Sequence, residues 1–171
     1  MLFGLLSKIF GAETITPRVE TITLRVVLTD EGYILKCTDI DGDVYLSVFD
    51  DQTICTCDLK YATRYDLDRA KKIAEEDGKL KVQKITTTYM VDDPYENQEV
   101  PTTNKEIVTM SYILEHVDGE NLFRNGNDQS LGTEDIRSAT RYNLELAERI
   151  ADNDDDWRVL RLVVKYALKD V

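Results

Sequence analysis

The stretch ATRYDLDRAKKIAEED at residues 62–77 returns as ATRYNLELAERIADND at residues 139–154. Nine of the 16 aligned positions are identical, whereas two unrelated segments of this length match at about one position. Most of the other positions exchange similar residues, as Asp68 does with Glu145. The repeat therefore indicates that one small unit occurs twice in this chain, with corresponding residues 77 positions apart.

A helix is predicted in each copy. Asp66 and Asn143 are residue types that favour the N-cap position, and Gly78 is typical of the position that follows a helix. Apolar residues recur after each cap at helical spacing, which indicates one buried side. These apolar residues are Leu67, Ala70, Ile73 and Ala74 in the first copy and Leu144, Ala147, Ile150 and Ala151 in the second.

Strands are predicted around each helix, because apolar and polar residues alternate there. Gly32 is expected to turn the chain between two of them, and the pair Asp41-Gly42 favours a hairpin turn. The predicted strands are residues 20–30, 33–37, 44–49, 53–57 and 80–85 in the first copy, with residues 157–168 closing the second.

The order of these elements predicts an α+β fold of two tandem ββ(β)αβ modules, each an antiparallel sheet packed by one helix. A short apolar helix is predicted to precede them. The connection between the modules is acidic, and its prolines interrupt regular structure. The predicted divisions are residues 1–17 for the apolar helix and linker, 18–90 for the first module, 91–106 for the connection and 107–171 for the second module.

Both copies resemble a small module that is common in bacteriophage proteins. In that module a D-[LI]-x-x-A-x-[RK]-[FY]-[DNS] stretch leads to a helix with an A-x-x-[IA]-A face and then to a closing strand. The resemblance implies a phage origin and this fold, and it implies no catalytic residue. The matching residues are Asp58, Leu59, Ala62, Arg64, Tyr65, Asp66 and Ala70 to Ala74, then Asp135, Ile136, Ala139, Arg141, Tyr142, Asn143 and Ala147 to Ala151.

The segment MLFGLLSKIF at residues 1–10 has one wide apolar face if it is helical. It is too short to span a bilayer, and Lys8 follows the apolar run, which is wrong for a secretory signal. We expect the segment to dock on the protein's own modules, with a partner groove or a membrane interface as alternatives. Its candidate contact residues are Leu2, Phe3, Leu6 and Phe10.

The net charge of −12 argues against direct nucleic-acid binding and against adsorption to an anionic membrane. Residues 91–156 hold 17 acidic and 5 basic side chains, while the rest of the chain holds 16 of each. The second copy and its approach segment therefore carry the whole imbalance. Such a field would steer a basic partner toward this part of the chain, and the alternative is a surface that only maintains solubility.

The sequence contains no motif that predicts catalysis, a metal site or a cofactor. His116 is the single histidine, which removes most triad and zinc arrangements. The three cysteines cannot all pair with one another, so we expect a reducing compartment, the host cytoplasm.

Each copy retains an Arg-Tyr pair directly before its helix. An arginine is unfavourable near a helix N-terminus, so we expect each one to form a bidentate ion pair with the retained aspartate, Asp58 or Asp135. The alternative is that the two pairs are equivalent partner-binding points around a twofold axis. The residues of that alternative are Arg64, Tyr65, Arg141 and Tyr142.

A second candidate for partner binding is the acidic run after the second helix. Each carboxylate near a helix C-terminus is unfavourable by roughly 0.3–1 kcal/mol, and a cation or a basic partner surface would relieve this repulsion. The alternative is a solvated loop in which salt screens the charges. The residues are Asp152, Asp154, Asp155 and Asp156.

These observations predict a non-enzymatic phage protein that binds a host protein as an inhibitor or anti-defence factor. One form of this hypothesis is an acidic surface that mimics nucleic acid and binds a basic nucleic-acid-binding host protein. The alternative is a virion component of the capsid or tail that docks through residues 1–10. An enzyme that uses acidic residues and a metal is the least favoured reading, and the sequence leaves the oligomeric state open.

Overall fold

The computed structural model of this chain describes residues 24–95, 100, 103, 106–119, 121–126 and 132–171. These residues form one antiparallel sheet of eight strands and two α-helices, which confirms the predicted α+β class. Within them, no helix is both long and apolar enough to cross a membrane. The predicted apolar helix, with Leu2, Phe3, Leu6 and Phe10, lies outside the described residues.

The first half of the chain contains β1 (Arg25–Cys37), β2 (Tyr45–Phe49), β3 (Gln52–Thr56), α1 (Leu67–Glu76) and β4 (Leu80–Asp92). The second half contains β5 (Glu106–His116), β6 (Phe123–Arg124), β7 (Gly132–Thr133), a 3₁₀ turn (Ile136–Ser138), α2 (Leu144–Ala151) and β8 (Trp157–Asp170). The two halves therefore follow the same order of strands and helix along the chain.

The prediction of two separate sheets is wrong. The strand order is β3-β2-β1-β4-β8-β5-β6-β7, so the closing strands of the two halves pair at the middle of a single sheet. Thr88 lies opposite Lys165 in this pairing, and these two residues also correspond in the repeat. The register is therefore symmetric about the Thr88–Lys165 pair.

Gly32 does not turn the chain, and this prediction is also wrong. The strand β1 runs through Gly32, which pairs with Ile85 of β4. A Cβ atom at position 32 would lie 3.6 Å from the Cβ atom of Arg64. This distance is an ordinary van der Waals contact, so Gly32 is a strand residue beside which the Arg64 side chain packs.

Both predicted helices and both predicted N-caps are confirmed. The Oδ1 atom of Asp66 accepts a hydrogen bond of 2.8 Å from the Arg69 amide. The Oδ1 atom of Asn143 accepts one of 2.8 Å from the Leu146 amide. Each bond satisfies an amide of the first turn that has no partner within the helix.

The two faces of the sheet bury different cores. On one face each helix covers a small cluster of its own half, around Ala70 for α1 and Ala147 for α2. On the other face a single larger core joins both halves and is covered by the segments that lead to the helices. This larger core includes Ile34, Leu59, Ala62, Ile85 and Tyr89 from the first half and Ile113, Ile136, Ala139, Leu160, Leu162 and Tyr166 from the second.

Candidate partner-binding surface

The tyrosine of each Arg-Tyr pair joins the segment before the helix to the sheet. The Tyr33 amide donates to the Tyr65 carbonyl at 3.1 Å, and the Tyr65 amide donates to the Tyr33 carbonyl at 2.8 Å. Tyr112 and Tyr142 form the same two bonds with the same two lengths. Tyr65 and Tyr142, which the repeat retains, therefore form the same pair of backbone hydrogen bonds in the two halves.

The threonine before each Arg-Tyr pair forms two hydrogen bonds with the neighbouring chain segment, and these bonds are alike in the two halves. The Thr63 amide donates to the Leu46 carbonyl at 3.0 Å, and the Thr63 Oγ1 atom accepts from the Val48 amide at 2.7 Å. In the second half the corresponding residues are Thr140, Arg124 and Gly126, with lengths of 2.9 and 2.6 Å. Leu46 and Arg124 therefore occupy corresponding positions in the two halves.

The predicted ion pair between Arg64 and Asp58 is wrong. The Arg64 Nη2 atom donates to the Thr87 Oγ1 atom at 2.6 Å, and its Nη1 atom lies 3.3 Å from the Asp30 Oδ2 atom. Asp58 instead accepts a hydrogen bond from the Lys60 amide and pairs with the Lys60 Nζ atom at 3.2 Å. The carboxylate of Asp58 is therefore used in a local turn. The partners of Arg64 are side chains of the sheet, Thr87 and Asp30.

The predicted pair between Arg141 and Asp135 is wrong for the same reason. Asp135 accepts hydrogen bonds from the Nε and Nη2 atoms of Arg137, both at 2.9 Å. These bonds lower the pKa of Asp135. The Arg137 Nη1 atom also lies 3.7 Å from the Asp30 Oδ2 atom, which connects the second half to β1.

A groove of about 370 Å³ lies between the β2–β3 hairpin and α1. Its lining brings the predicted residues Arg64 and Tyr65 together with Arg69, whose guanidinium carbon lies 5.7 Å from the centre of the Tyr65 ring. The sequence did not single out Arg69, although it is a position at which the two copies differ. We name this feature the β3 groove, and its lining residues are Leu46, Val48, Thr53, Thr63, Arg64, Tyr65, Arg69 and Ile73.

The strand β3 forms one end of the sheet beside this groove. Its sequence, QTICT, contains neither a charged residue nor a proline, although such residues commonly protect edge strands from pairing. Val48, Phe49 and Ile54 are 44%, 69% and 49% exposed. No described strand pairs with the outer side of β3, so the edge combines available backbone groups with apolar side chains.

The acidic run lies in the second half and not at the β3 groove. Asp152 is the C-cap of α2, and the Asp154 Oδ1 atom accepts a hydrogen bond from the Asp156 amide at 3.3 Å. Within the described part of the chain, none of Asp152, Asp154, Asp155 and Asp156 forms an ion pair. The structure therefore does not bring this run together with Arg64 and Tyr65.

Two buried carboxylates, which the sequence did not reveal, are paired with arginines. Glu115 is fully buried, and its Oε2 atom accepts from the Arg158 Nη2 atom at 2.6 Å while its Oε1 atom pairs with Arg25. Asp92 is also fully buried and forms a two-bond pair with Arg161. The partners in these pairs lie far apart in the sequence, so a local sequence pattern cannot predict them.

His116 packs edge-on against Trp157 with 5.4 Å between ring centres, and its Nδ1 atom accepts from the Asp118 amide at 3.2 Å. Among the residues that the structure describes, no three His, Cys, Asp or Glu side chains are grouped to hold a metal.

Comparison of the chain with protein-family models, curated proteins and solved structures finds no match. The resemblance to the phage module therefore stays a prediction. Within the described residues, the β3 groove lies beside an edge strand with exposed apolar side chains.

Proposed function

We propose that this protein is a non-enzymatic, phage-encoded binding protein that attaches to a host protein in the cytoplasm and inhibits or redirects it. The observation that carries the proposal is the unprotected edge strand β3 beside the β3 groove. An edge strand of this kind can accept an extended segment of another protein as a further strand. Backbone hydrogen bonds then supply affinity, and the adjacent groove supplies specificity.

The lining of the β3 groove indicates which segment it would accept. Leu46, Val48 and Ile73 offer apolar contact. Arg69 is exposed at the rim and lies over the Tyr65 ring. We therefore expect a partner strand that places an apolar side chain in the groove and an acidic side chain beside Arg69.

We further infer that the two halves are copies of one duplicated ββ(β)αβ unit, as the repeat at residues 62–77 and 139–154 predicts. The matching backbone bonds of Tyr65 and Tyr142 support this inference. Within the described residues, β6 and β7 span two residues each, whereas β2 and β3 span five each. The two copies therefore differ at the strands that form the edge in the first half. We expect the edge of the first half to be the one that binds.

Affinity capture from host lysate, with the full chain as bait, tests the proposal. A charge placed on an edge strand discourages strand addition, so Ile54→Lys should abolish capture of the partner that the unmodified chain retains. Val117→Lys is the matched control, because Val117 is a β-branched residue of similar exposure, 44%, in the second half. Equal capture by the unmodified chain and by Ile54→Lys would exclude the β3 edge as the binding surface.

The unpaired carboxylates of the acidic run support a second candidate, in which the surface mimics nucleic acid and binds a basic host protein. Binding of this kind weakens steeply as salt rises. Replacing all four aspartates by asparagine should then weaken binding at low salt. Affinity that is undiminished at high ionic strength would exclude charge mimicry and leave the β3 edge as the explanation.

A further inference from the structure

Arg124 differs from the other buried charged residues of the described chain. Asp92 and Glu115 are fully buried, and each is paired with an arginine. Arg124 is only 5% exposed, and its Nε and Nη1 atoms are buried without any hydrogen-bond partner. No described carboxylate forms an ion pair with it. A buried guanidinium in this state is strongly unfavourable unless an anion accepts its hydrogen bonds.

The fold places Arg124 on the helix-bearing face of the sheet, at the end opposite β3. Its neighbour Phe123 belongs to the large core on the other face, and successive residues of a strand point to opposite faces. Arg124 also corresponds to Leu46, which packs in the small cluster beneath α1. The Arg124 side chain therefore lies at the position where the first half packs a partly buried leucine against its helix.

The two halves exchange residue types around this position. In the first half Leu46 lies on the strand and Arg69 lies on the helix, whereas the second half has Arg124 on the strand and Leu146 on the helix. The rim residue Val48 is replaced by Gly126, which has a φ of 79° and no side chain. The positive charge is therefore on the exposed surface of the helix in the first half, at Arg69, and on the buried strand in the second half, at Arg124. Gly126 leaves the space beside Arg124 without the side chain that Val48 provides in the first half.

We propose that Arg124 is the anion-binding group of an oxyanion site between β6 and α2. Its ligand is a carboxylate or a phosphate, because the planar guanidinium donates well-aligned, charge-assisted hydrogen bonds to either group. The site goes beyond the proposed function and is independent of it, since β3 and β6 lie toward opposite ends of the sheet. Loss of anion binding at Arg124 can therefore be measured without loss of partner binding at the β3 edge.

The test is thermal unfolding of the full chain in increasing sodium phosphate or sodium acetate, with sodium chloride at the same ionic strength as the reference. A ligand that binds only the folded state raises the unfolding temperature with its concentration. We expect phosphate, acetate or both to raise it above the chloride reference, and the anion that is effective identifies the ligand class. The shift should disappear in Arg124→Leu, which introduces the residue that the first half carries.

Arg149→Leu is the matched control, because Arg149 is an exposed arginine in the last turn of α2, and this variant should keep the full shift. An equal shift in Arg124→Leu, or an equal loss in Arg149→Leu, would overturn the proposal. Without added oxyanion, Arg124→Leu should be at least as stable as the unmodified chain, since it removes an unpaired buried charge. A less stable or unfolded Arg124→Leu would show that the protein itself satisfies the guanidinium, and this would also overturn the proposal.

Discussion

Cys37 and Cys55 show how burial sets the chemistry of a single residue. Their sulfur atoms lie 3.7 Å apart, yet Cys37 is buried in β1 while Cys55 is exposed in β3. Burial first, and then the contact with Cys55, raises the pKa of Cys37 to about 11. Because the thiolate is the reactive form, Cys37 stays protonated and unreactive until the pH approaches that value.

Alkylation by iodoacetamide should therefore separate the cysteines. At about pH 8 we expect Cys55 and Cys57, both exposed, to be labelled well before Cys37. The Cys37 rate should then rise as the pH increases toward its pKa. Peptide mass spectrometry of samples quenched over time measures the three rates, with urea-unfolded protein as the control for intrinsic reactivity. Labelling of folded Cys37 as fast as Cys55 at the lower pH would contradict the burial.

The sequence indicates Arg64 as a candidate residue, but its partners could not be predicted from the sequence. The retained Asp58 lies only six positions away, but its carboxylate binds the Lys60 amide in a local turn. The actual partners, Asp30 and Thr87, lie 34 and 23 positions away on two different strands. Local geometry explains the helix caps, which the sequence predicts well, and long-range packing decides the partners of Arg64.

At the scale of elements, the turn between β2 and β3 carries local strain. Asp50 and Asp51 have φ values of 47° and 60°, and this two-residue turn connects strands in which Phe49 pairs with Gln52. Positive φ at both central positions is the geometry of a type I′ turn, which favours Asn-Gly. Aspartate tolerates this region but less readily than glycine does.

Asp51→Gly should accordingly stabilise the protein by about 0.5 kcal/mol, since relief of the left-handed conformation outweighs the entropy cost of glycine. Urea unfolding followed by circular dichroism measures the change. Asp41→Gly is the control, because Asp41 is an exposed loop aspartate that is not among the residues with positive φ. We expect Asp41→Gly to be neutral or destabilising. Equal stabilisation by both substitutions would indicate a general effect of removing negative charge.

The elements themselves were largely predictable, whereas their assembly into one sheet was not. Apolar spacing and capping residues placed α1 and α2, because both signals act within a few residues. Pairing of β4 with β8 joins residues such as Gln83 and Asp170, which no local pattern reports. The strand β4 also continues to Asp92, beyond the predicted end at residue 85, and this extension supplies seven of the ten residue pairs with β8.

At the scale of the whole molecule, the larger core makes the two halves depend on each other. Ile34 of β1 and Ile113 of β5 are corresponding residues, both fully buried in this one core. The ten residue pairs between β4 and β8 add a continuous hydrogen-bonded connection. Elements that share a core and a sheet in this way unfold together, as small single domains usually do.

Ile34→Ala and Ile113→Ala should therefore each lower the free energy of unfolding by about 2–5 kcal/mol, because each removes buried methyl groups and leaves a cavity. Both variants should shift the same single transition. Urea unfolding monitored by circular dichroism and by the fluorescence of Trp157, which lies in the second half, checks this. The two probes should give coincident curves for the unmodified chain and for both variants. If Ile34→Ala changes the circular dichroism curve but leaves the fluorescence curve in place, the halves unfold separately and the shared core does not couple them.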